Sequence, residues 1–97
     1  MFRHIVLLAW TADATAEQRA EVVAQLSKLP GAIPEIRRYE IGEDAGLNAG
    51  NHSLGVVADF DDVDGYLVYR DHPVHLAVIE EYIKPILAGR AAVQHEL

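Results

Sequence analysis

The segment Phe2–Trp10 is the sequence feature that most constrains the fold, because it has the composition of a strand that is apolar on both sides. It is rich in β-branched, aromatic and other apolar residues, which is typical of strands. One face carries Phe2, His4, Val6, Leu8 and Trp10, and the other carries Arg3, Ile5, Leu7 and Ala9. Such a strand is typical of a sheet that is covered on both faces.

The residues after this strand have the pattern of an amphipathic helix. Thr15 and Gln18 have the spacing of a capping box, which marks a helix N-terminus. The apolar side then carries Val22, Val23, Leu26 and Leu29, and the polar side carries Glu17, Glu21, Gln25 and Lys28. We expect this helix to end before Pro30 and Gly31.

The rest of the chain predicts three more strands and two helical segments. We expect strands at Ile36–Ile41, His52–Phe60 and Arg90–Leu97, a loop at Gly42–Asn51 and a turn at Pro85–Gly89. Asp61 and Asp62 offer N-cap oxygens to a helix over about Val63–Asp71. Pro73 separates this helix from a following one that runs to about Ile83, because proline disfavours the α conformation in the residue before it.

The element order β-α-β-β-α-β predicts an α+β fold. Right-handed crossovers convert this order into a four-stranded antiparallel sheet with the helices on one face, the ferredoxin-like arrangement. The other face then lacks a cover, and a second copy of the same sheet is the simplest one. We therefore expect residues 1–97 to form one domain that assembles as a homodimer, a dimeric α+β barrel.

Composition argues against several classes of protein. A chain of 97 residues fits one domain. Its 15 acidic against 8 basic residues give a net charge of −7, which argues against nucleic-acid and anionic-membrane partners. The lack of cysteine excludes disulfides, zinc–thiolate sites and thiol catalysis. The first apolar run, Ile5–Trp10, is too short for a membrane span, so we expect a cytoplasmic protein.

The segment Tyr66–His75, which contains the helix break, carries the candidate chemistry. The helix after Pro73 has an apolar stripe at i, i+4, i+7 and i+11, formed by His75, Ile79, Tyr82 and Ile86, which predicts that His75 points toward the sheet. An imidazole accepts a proton near neutral pH, and a phenol donates a hydrogen bond to a developing enolate oxygen. His75 and Tyr69 are therefore the candidate catalytic residues.

Three further residues are candidates for substrate binding. His4 lies on the strand face that also carries Val6 and Leu8, and it can face the same space as His75. His72 lies at the helix break, where a side chain caps the next helix or faces solvent. Trp10 lies at a strand end, where it can line the mouth of a pocket or pack in the core or an interface.

Two other interpretations of these residues remain open. A buried histidine or tyrosine often only completes a polar network, which would give His75 and Tyr69 a structural role. His4, His72 and His75 are also candidate ligands of a metal, although the intervening Pro73 and the absence of an inward carboxylate weaken this interpretation. We therefore predict no metal and no other cofactor.

Four stretches resemble the stress-responsive dimeric α/β-barrel (Dabb) family, namely Arg3–Trp10, Leu29–Pro34, Phe60–Asp62 and Tyr69–His75. The resemblance covers essentially the whole chain, and its most specific part is Tyr-x-x-His-Pro-x-His together with an early strand histidine. It implies a ferredoxin-like protomer and a homodimer whose sheets form a barrel.

The resemblance extends to a plant member of the family, olivetolic acid cyclase, which closes a polyketide ring by aldol condensation with a tyrosine and a histidine as its acid–base pair. By motif position these residues correspond to Tyr69 and His75, and the strand histidine corresponds to His4. The sequence departs from the family at Gln94, where many members have an aspartate, and at Leu54, where the cyclase has a further pocket histidine. If that aspartate supports the catalytic histidine, the neutral amide of Gln94 aids a general base less.

The sequence thus predicts a small dimer with a pocket for a small, largely apolar molecule and with polyketide cyclase-like or isomerase-like acid–base chemistry. The alternative is a non-catalytic, stress-associated or ligand-binding dimer whose histidines and tyrosines are structural. A third interpretation, an oxygen-dependent monooxygenase of the wider α/β-barrel group, has no distinguishing residue in this chain.

Overall fold

The computed structural model describes residues 1–97 and shows one antiparallel sheet with helices on one face. The strands are β1 (Phe2–Trp10), β2 (Arg38–Glu43), β3 (Leu54–Phe60) and β4 (Leu87–Glu96), in the order β2-β3-β1-β4. The helices are α1 (Ala16–Ser27), α2 (Leu29–Ala32), α3 (Val63–Asp71) and α4 (Pro73–Val78), and α4 continues into a π-helical turn at Ile79–Ile83 and a 3-10 turn at Lys84–Ile86. None of these helices has the length and apolar character of a membrane-spanning segment.

Side-chain caps fix the helix starts that the sequence predicts. The Thr15 hydroxyl accepts a hydrogen bond from the Gln18 amide N–H at 3.1 Å, and the Gln18 side chain accepts one from the Thr15 N–H at 2.9 Å. Asp62 caps α3 by accepting from the Gly65 N–H at 2.9 Å. The short helix α2 is not predicted, and Pro30 fits its first turn because an N–H at that position has no helical partner.

Several strand boundaries differ from the sequence prediction, including the end of β2, which lies at Glu43 instead of Ile41 and takes in the first two residues of the predicted loop. β2 begins at Arg38 instead of Ile36, since the Ile36 N–H donates to the Ile33 carbonyl in a turn. β3 begins at Leu54 instead of His52. β4 runs over Leu87–Glu96 instead of Arg90–Leu97, because Leu87 already pairs with Trp10 across a register shift in β1. The predicted turn at Pro85–Gly89 is therefore limited to its first two residues, which lie in a 3-10 turn.

The apolar stripe after Pro73 also differs from the prediction. The Lys84 N–H donates to the Ile79 carbonyl five residues earlier, which makes this turn wider than an α-helical one. The wider turn changes which side chains face the sheet. Ile83 is buried, whereas Tyr82, which the α-helical period predicts to be buried, is only half-buried.

The core lies between the helices and the face of the sheet that carries Val6 and Leu8 of β1. Its largest fully buried side chains are Phe60, Leu29, Ile33, Leu54, Val22 and Val56. The other face of the sheet is called the outer sheet face here, and its centre is formed by Ile5 and Leu7 of β1, Val57 of β3 and Val93 of β4. Leu7 is 41% exposed and Val93 is 54% exposed, so one protomer leaves this apolar face open.

Candidate functional site

A cavity of about 370 Å³ lies between the inner face of the sheet and the segment α3–α4. Apolar side chains make most of its wall, including Val6, Leu8, Val56, Leu26, Ile79 and Ile83. Polar groups enter this wall from His4, Tyr39, Tyr69, His75 and Arg90. An apolar cavity with a few convergent polar groups is the usual form of a small-molecule site.

The helix break brings Tyr69 and His75 together. α3 ends at Asp71, and His72 is extended, with φ −65° and ψ 132°. α4 then starts in a new direction, with Pro73 at its first position. The ring centroids of Tyr69 and His75 lie 4.1 Å apart with 30° between the planes. Both predicted catalytic residues therefore line one cavity.

The geometry of His75 identifies its basic nitrogen. Its Nδ1 lies 3.1 Å from the Arg70 carbonyl oxygen. A carbonyl only accepts, so Nδ1 carries the hydrogen of the neutral ring and Nε2 carries the lone pair. No hydrogen bond within the chain engages Nε2, and no enclosed side-chain nitrogen or oxygen lacks a partner. Nε2 is therefore accessible, and the ring lines the cavity.

Burial is the main influence on the proton affinity of His75. It lowers the pKa of this imidazole below its ordinary value, and the positive charges of His72 and Arg90 lower it further. The backbone carbonyls of Arg70 and Tyr69 act in the opposite direction. The net lowering keeps the ring neutral at pH 7, as a general base requires.

The Tyr69 hydroxyl has a partner that the sequence analysis missed. Tyr39 of β2 places its hydroxyl 3.0 Å from that of Tyr69. Burial raises the pKa of Tyr69 to about 12, while the hydrogen bond with Tyr39 acts to lower it. Burial also raises the pKa of Tyr39. Either hydroxyl can donate in this pair, and when Tyr39 donates to the Tyr69 oxygen, the Tyr69 hydrogen is free for a ligand.

His4 is buried at the cavity wall, with 5% of its surface exposed. Its ring lies 5.0 Å from that of Tyr66 and 6.2 Å from that of Tyr69, measured between centroids. Burial, followed by the charges of Arg90 and His75, lowers the pKa of His4 to about 4. The ring is therefore neutral over the physiological range.

Gln94 contacts His4 and not His75, which corrects the expectation from the sequence. The β1–β4 register places Gln94 opposite His4, and its Nε2 lies 2.8 Å from His4 Nδ1. The weaker support that we expected for His75 from an amide therefore does not arise. His75 is held by a backbone carbonyl instead.

Arg90 is a second residue of the cavity wall that the sequence analysis missed. It stands opposite Leu8 in the β1–β4 register and lines the cavity. None of the ion pairs of the chain involves it. It therefore supplies a positive charge without a carboxylate partner beside the two histidines.

Trp10 and His72 lie outside the cavity wall. Trp10 is half-buried against the core, and its backbone N–H donates to the Ser53 hydroxyl at 3.1 Å. His72 caps α4, with its Nδ1 accepting from the Val74 N–H at 3.1 Å. Their roles in substrate binding stay predictions. The side chains of His4, His72 and His75 do not form a group that could hold a metal ion.

The family model for the stress responsive A/B barrel domain, Dabb, matches residues 2–96. The chain belongs to the Dabb family. A dimeric ferredoxin-like protein of unknown function from Thermobifida fusca is 49% identical, with a TM-score of 0.90 over 99% of this chain and 90% of that one. This confirms the family and the ferredoxin-like fold that the sequence predicts.

More distant structures share the fold. A dimeric protein of unknown function from Bacteroides fragilis is 28% identical, with a TM-score of 0.82 over 99% of this chain and 95% of that one. The hydroxynitrile lyase of Passiflora edulis is 20% identical, with a TM-score of 0.86 over 99% of this chain and 92% of that one. No curated protein is significantly similar to the chain.

Proposed function

We propose that this Dabb protein is an acid–base enzyme that acts on a small, largely apolar carbonyl compound, in a polyketide cyclase-like or isomerase-like reaction. The observation that carries the proposal is the convergence of Tyr69 and His75 on one apolar cavity, with ring centroids 4.1 Å apart. His75 offers a neutral base there, and Tyr69 offers a hydroxyl hydrogen.

In the proposed reaction, His75 Nε2 removes a proton from the carbon next to a carbonyl group. The electron pair of that C–H bond moves toward the carbonyl oxygen, and Tyr69 donates a hydrogen bond to the resulting enolate. Return of the proton to a different carbon completes an isomerisation. Attack of the enolate carbon on a second carbonyl of the same molecule closes a ring, and the imidazolium protonates the new alkoxide.

The remaining cavity wall suits this class of substrate. Its apolar side chains fit a hydrocarbon or aromatic body, and the low local polarity strengthens the hydrogen bond to a developing enolate. Arg90 adds a positive charge at the wall that favours the enolate over the neutral ketone. The lyase from Passiflora edulis has the same fold, so the architecture is compatible with catalysis.

We infer that the working form is a homodimer whose protomers pair through the outer sheet face. Leu7 and Val93 are large apolar side chains that one protomer leaves open at the centre of this face. The relatives from Thermobifida fusca and Bacteroides fragilis are described as dimeric. Specific dimers bury at least about 1,200 Å² in total, which is the area expected here. The cytoplasmic location expected from the sequence stays a prediction.

Hydrogen–deuterium exchange tests the catalytic proposal without knowledge of the natural substrate. A panel of enolisable ketones is incubated with the protein in deuterated buffer, and loss of the α-proton signals is followed by NMR. We expect the protein to accelerate exchange for one or more panel members. His75→Gln should lower that rate by about 10²–10⁴-fold, and Tyr69→Phe by about 10²–10³-fold.

Matched controls lie outside the cavity. His52→Gln and Tyr82→Phe make the same chemical changes away from its wall, and both variants should keep the full rate. Binding of a ketone without any accelerated exchange would contradict the catalytic proposal and support the non-catalytic, ligand-binding dimer.

A further inference from the structure

We infer that Gln94 holds His4 as a neutral hydrogen-bond donor that points at a carbonyl oxygen of the ligand. Gln94 is then a positioning residue that acts through His4. The inference deepens the proposed function, on which it rests for the identity of the ligand. We infer the tautomer of His4 from the orientation of the Gln94 amide, and it has its own test.

The hydrogen bond between Gln94 and His4 determines the tautomer. The Gln94 side-chain nitrogen lies 2.8 Å from His4 Nδ1. An amide NH₂ group only donates, so Nδ1 of His4 must accept. A neutral imidazole carries one hydrogen, which therefore lies on Nε2. The pairing of β1 with β4 sets this contact, because it places the two residues directly opposite each other.

His4 Nε2 is free to donate into the cavity. No hydrogen bond within the chain engages this atom, although the residue is only 5% exposed. No enclosed side-chain nitrogen or oxygen lacks a partner, so Nε2 must be accessible. His4 lines the cavity, so we place the Nε2 hydrogen there.

The groups around His4 keep the ring neutral. Arg90 of β4 and His75 of α4 face the His4 ring and disfavour a positive charge on it. The Tyr66 and Tyr69 rings of α3 pack beside it. The carboxylate at the cavity wall, Asp71, is already paired with Arg70. The cavity wall therefore has no unpaired carboxylate to draw a proton onto His4.

The two cavity histidines thus have opposite tautomers, so one presents a hydrogen-bond acceptor at Nε2 and the other presents a donor. His75 donates from Nδ1 to a backbone carbonyl and presents a lone pair at Nε2. His4 accepts at Nδ1 and presents a hydrogen at Nε2. Together with the Tyr69 hydroxyl, the cavity offers two donors and one base. This set fits a 1,3-dicarbonyl compound, which has two oxygens to accept hydrogen bonds and an acidic C–H between them.

An acidic residue at position 94 would move the hydrogen of the neutral His4 ring from Nε2 to Nδ1. A carboxylate only accepts, so Nδ1 would carry the hydrogen and Nε2 would present a lone pair. Gln94→Glu makes this change with little change in side-chain volume. Gln94→Met keeps a similar length and removes the hydrogen bond.

The first test reads the tautomer directly. Nitrogen-15 NMR of the labelled full-length protein at about pH 7.5 distinguishes protonated from unprotonated ring nitrogens, and the His4→Gln variant assigns the His4 signals. We expect a protonated Nε2 in the wild type, a protonated Nδ1 in Gln94→Glu and a mixture in Gln94→Met. A protonated Nδ1 in the wild type would overturn the inference, as would a wild-type pattern in Gln94→Met.

The second test asks whether the His4 hydrogen reaches the ligand. The probe is 1-phenylbutane-1,3-dione, and its binding is measured by calorimetry. We expect Gln94→Glu to weaken binding about tenfold or more, since a donor facing the probe oxygen becomes an acceptor. Equal binding by both proteins would overturn the role of His4. Failure of the proposed catalysis would appear separately: the probe would bind and the tautomers would be as expected, but the protein would not accelerate α-proton exchange.

Discussion

Acidification from pH 7 to pH 5 should destabilise the protein through His4, and the size of the effect follows from the structure. The pKa of His4 is lowered to about 4 in the folded protein, chiefly by burial, against about 6.5 in an unfolded chain. The unfolded state therefore binds a proton more readily. The stability that His4 contributes is fully present above pH 6.5 and is lost as the pH falls from 6.5 toward 4.

The linkage relation gives about 2 kcal/mol lost at pH 5 for this pair of pKa values. Because His4 lines a cavity that solvent can enter, screening reduces this figure to about 1–2 kcal/mol. The pKa of His75 is also lowered, so it contributes in the same direction. The pKa of Asp59 is held below its ordinary value by Arg3, so that carboxyl group titrates below this window.

Urea unfolding at pH 7 and at pH 5, at one protein concentration, measures the effect. The wild type should lose free energy of unfolding between the two values, and His4→Gln should lose about 1–2 kcal/mol less, since its side chain does not titrate. His75→Gln isolates the smaller share from His75. The same loss in wild type and His4→Gln would refute the assignment of a neutral, buried His4.

Two further changes test the outer sheet face and the packing beside the cavity. Leu7→Asp places a charge at the centre of the outer sheet face and should shift the protein from dimer to monomer in light scattering. The control Val63→Asp changes an exposed residue on α3 and should not shift it. A dimeric Leu7→Asp variant would contradict the proposed interface. Ile83→Ala removes a buried side chain that is 6% exposed and should cost about 2–5 kcal/mol of unfolding free energy. His75→Ala should cost about 1 kcal/mol or less, because water can enter the cavity. A larger loss for His75→Ala than for Ile83→Ala in thermal unfolding would indicate a structural histidine.

Local signals in the sequence were enough to predict much of the fold. The capping box at Thr15 marks the start of α1, and α3 has the predicted bounds Val63–Asp71. The break at Pro73 separates α3 from α4 as expected. Each of these features depends on residues within a few positions of one another, so a single sequence contains the whole signal.

Features that depend on distant residues were missed. The partner of Gln94 is set by a strand pairing across 90 positions, which local pattern does not reveal. The π-helical turn at Ile79–Ile83 changes the buried side chains in a way that a 3.6-residue period does not predict. Tyr39 was within reach, because its alternation with Ile41 places both residues on the inner face of the sheet.

A crystal structure of the protein with 1-phenylbutane-1,3-dione tests the central claim most directly. We expect the probe in the cavity, with one carbonyl oxygen about 2.6–3.2 Å from the Tyr69 hydroxyl and the carbon between the two carbonyls facing His75 Nε2. A probe bound outside the cavity, or bound inside it with both oxygens turned away from Tyr69, would contradict the acid–base account.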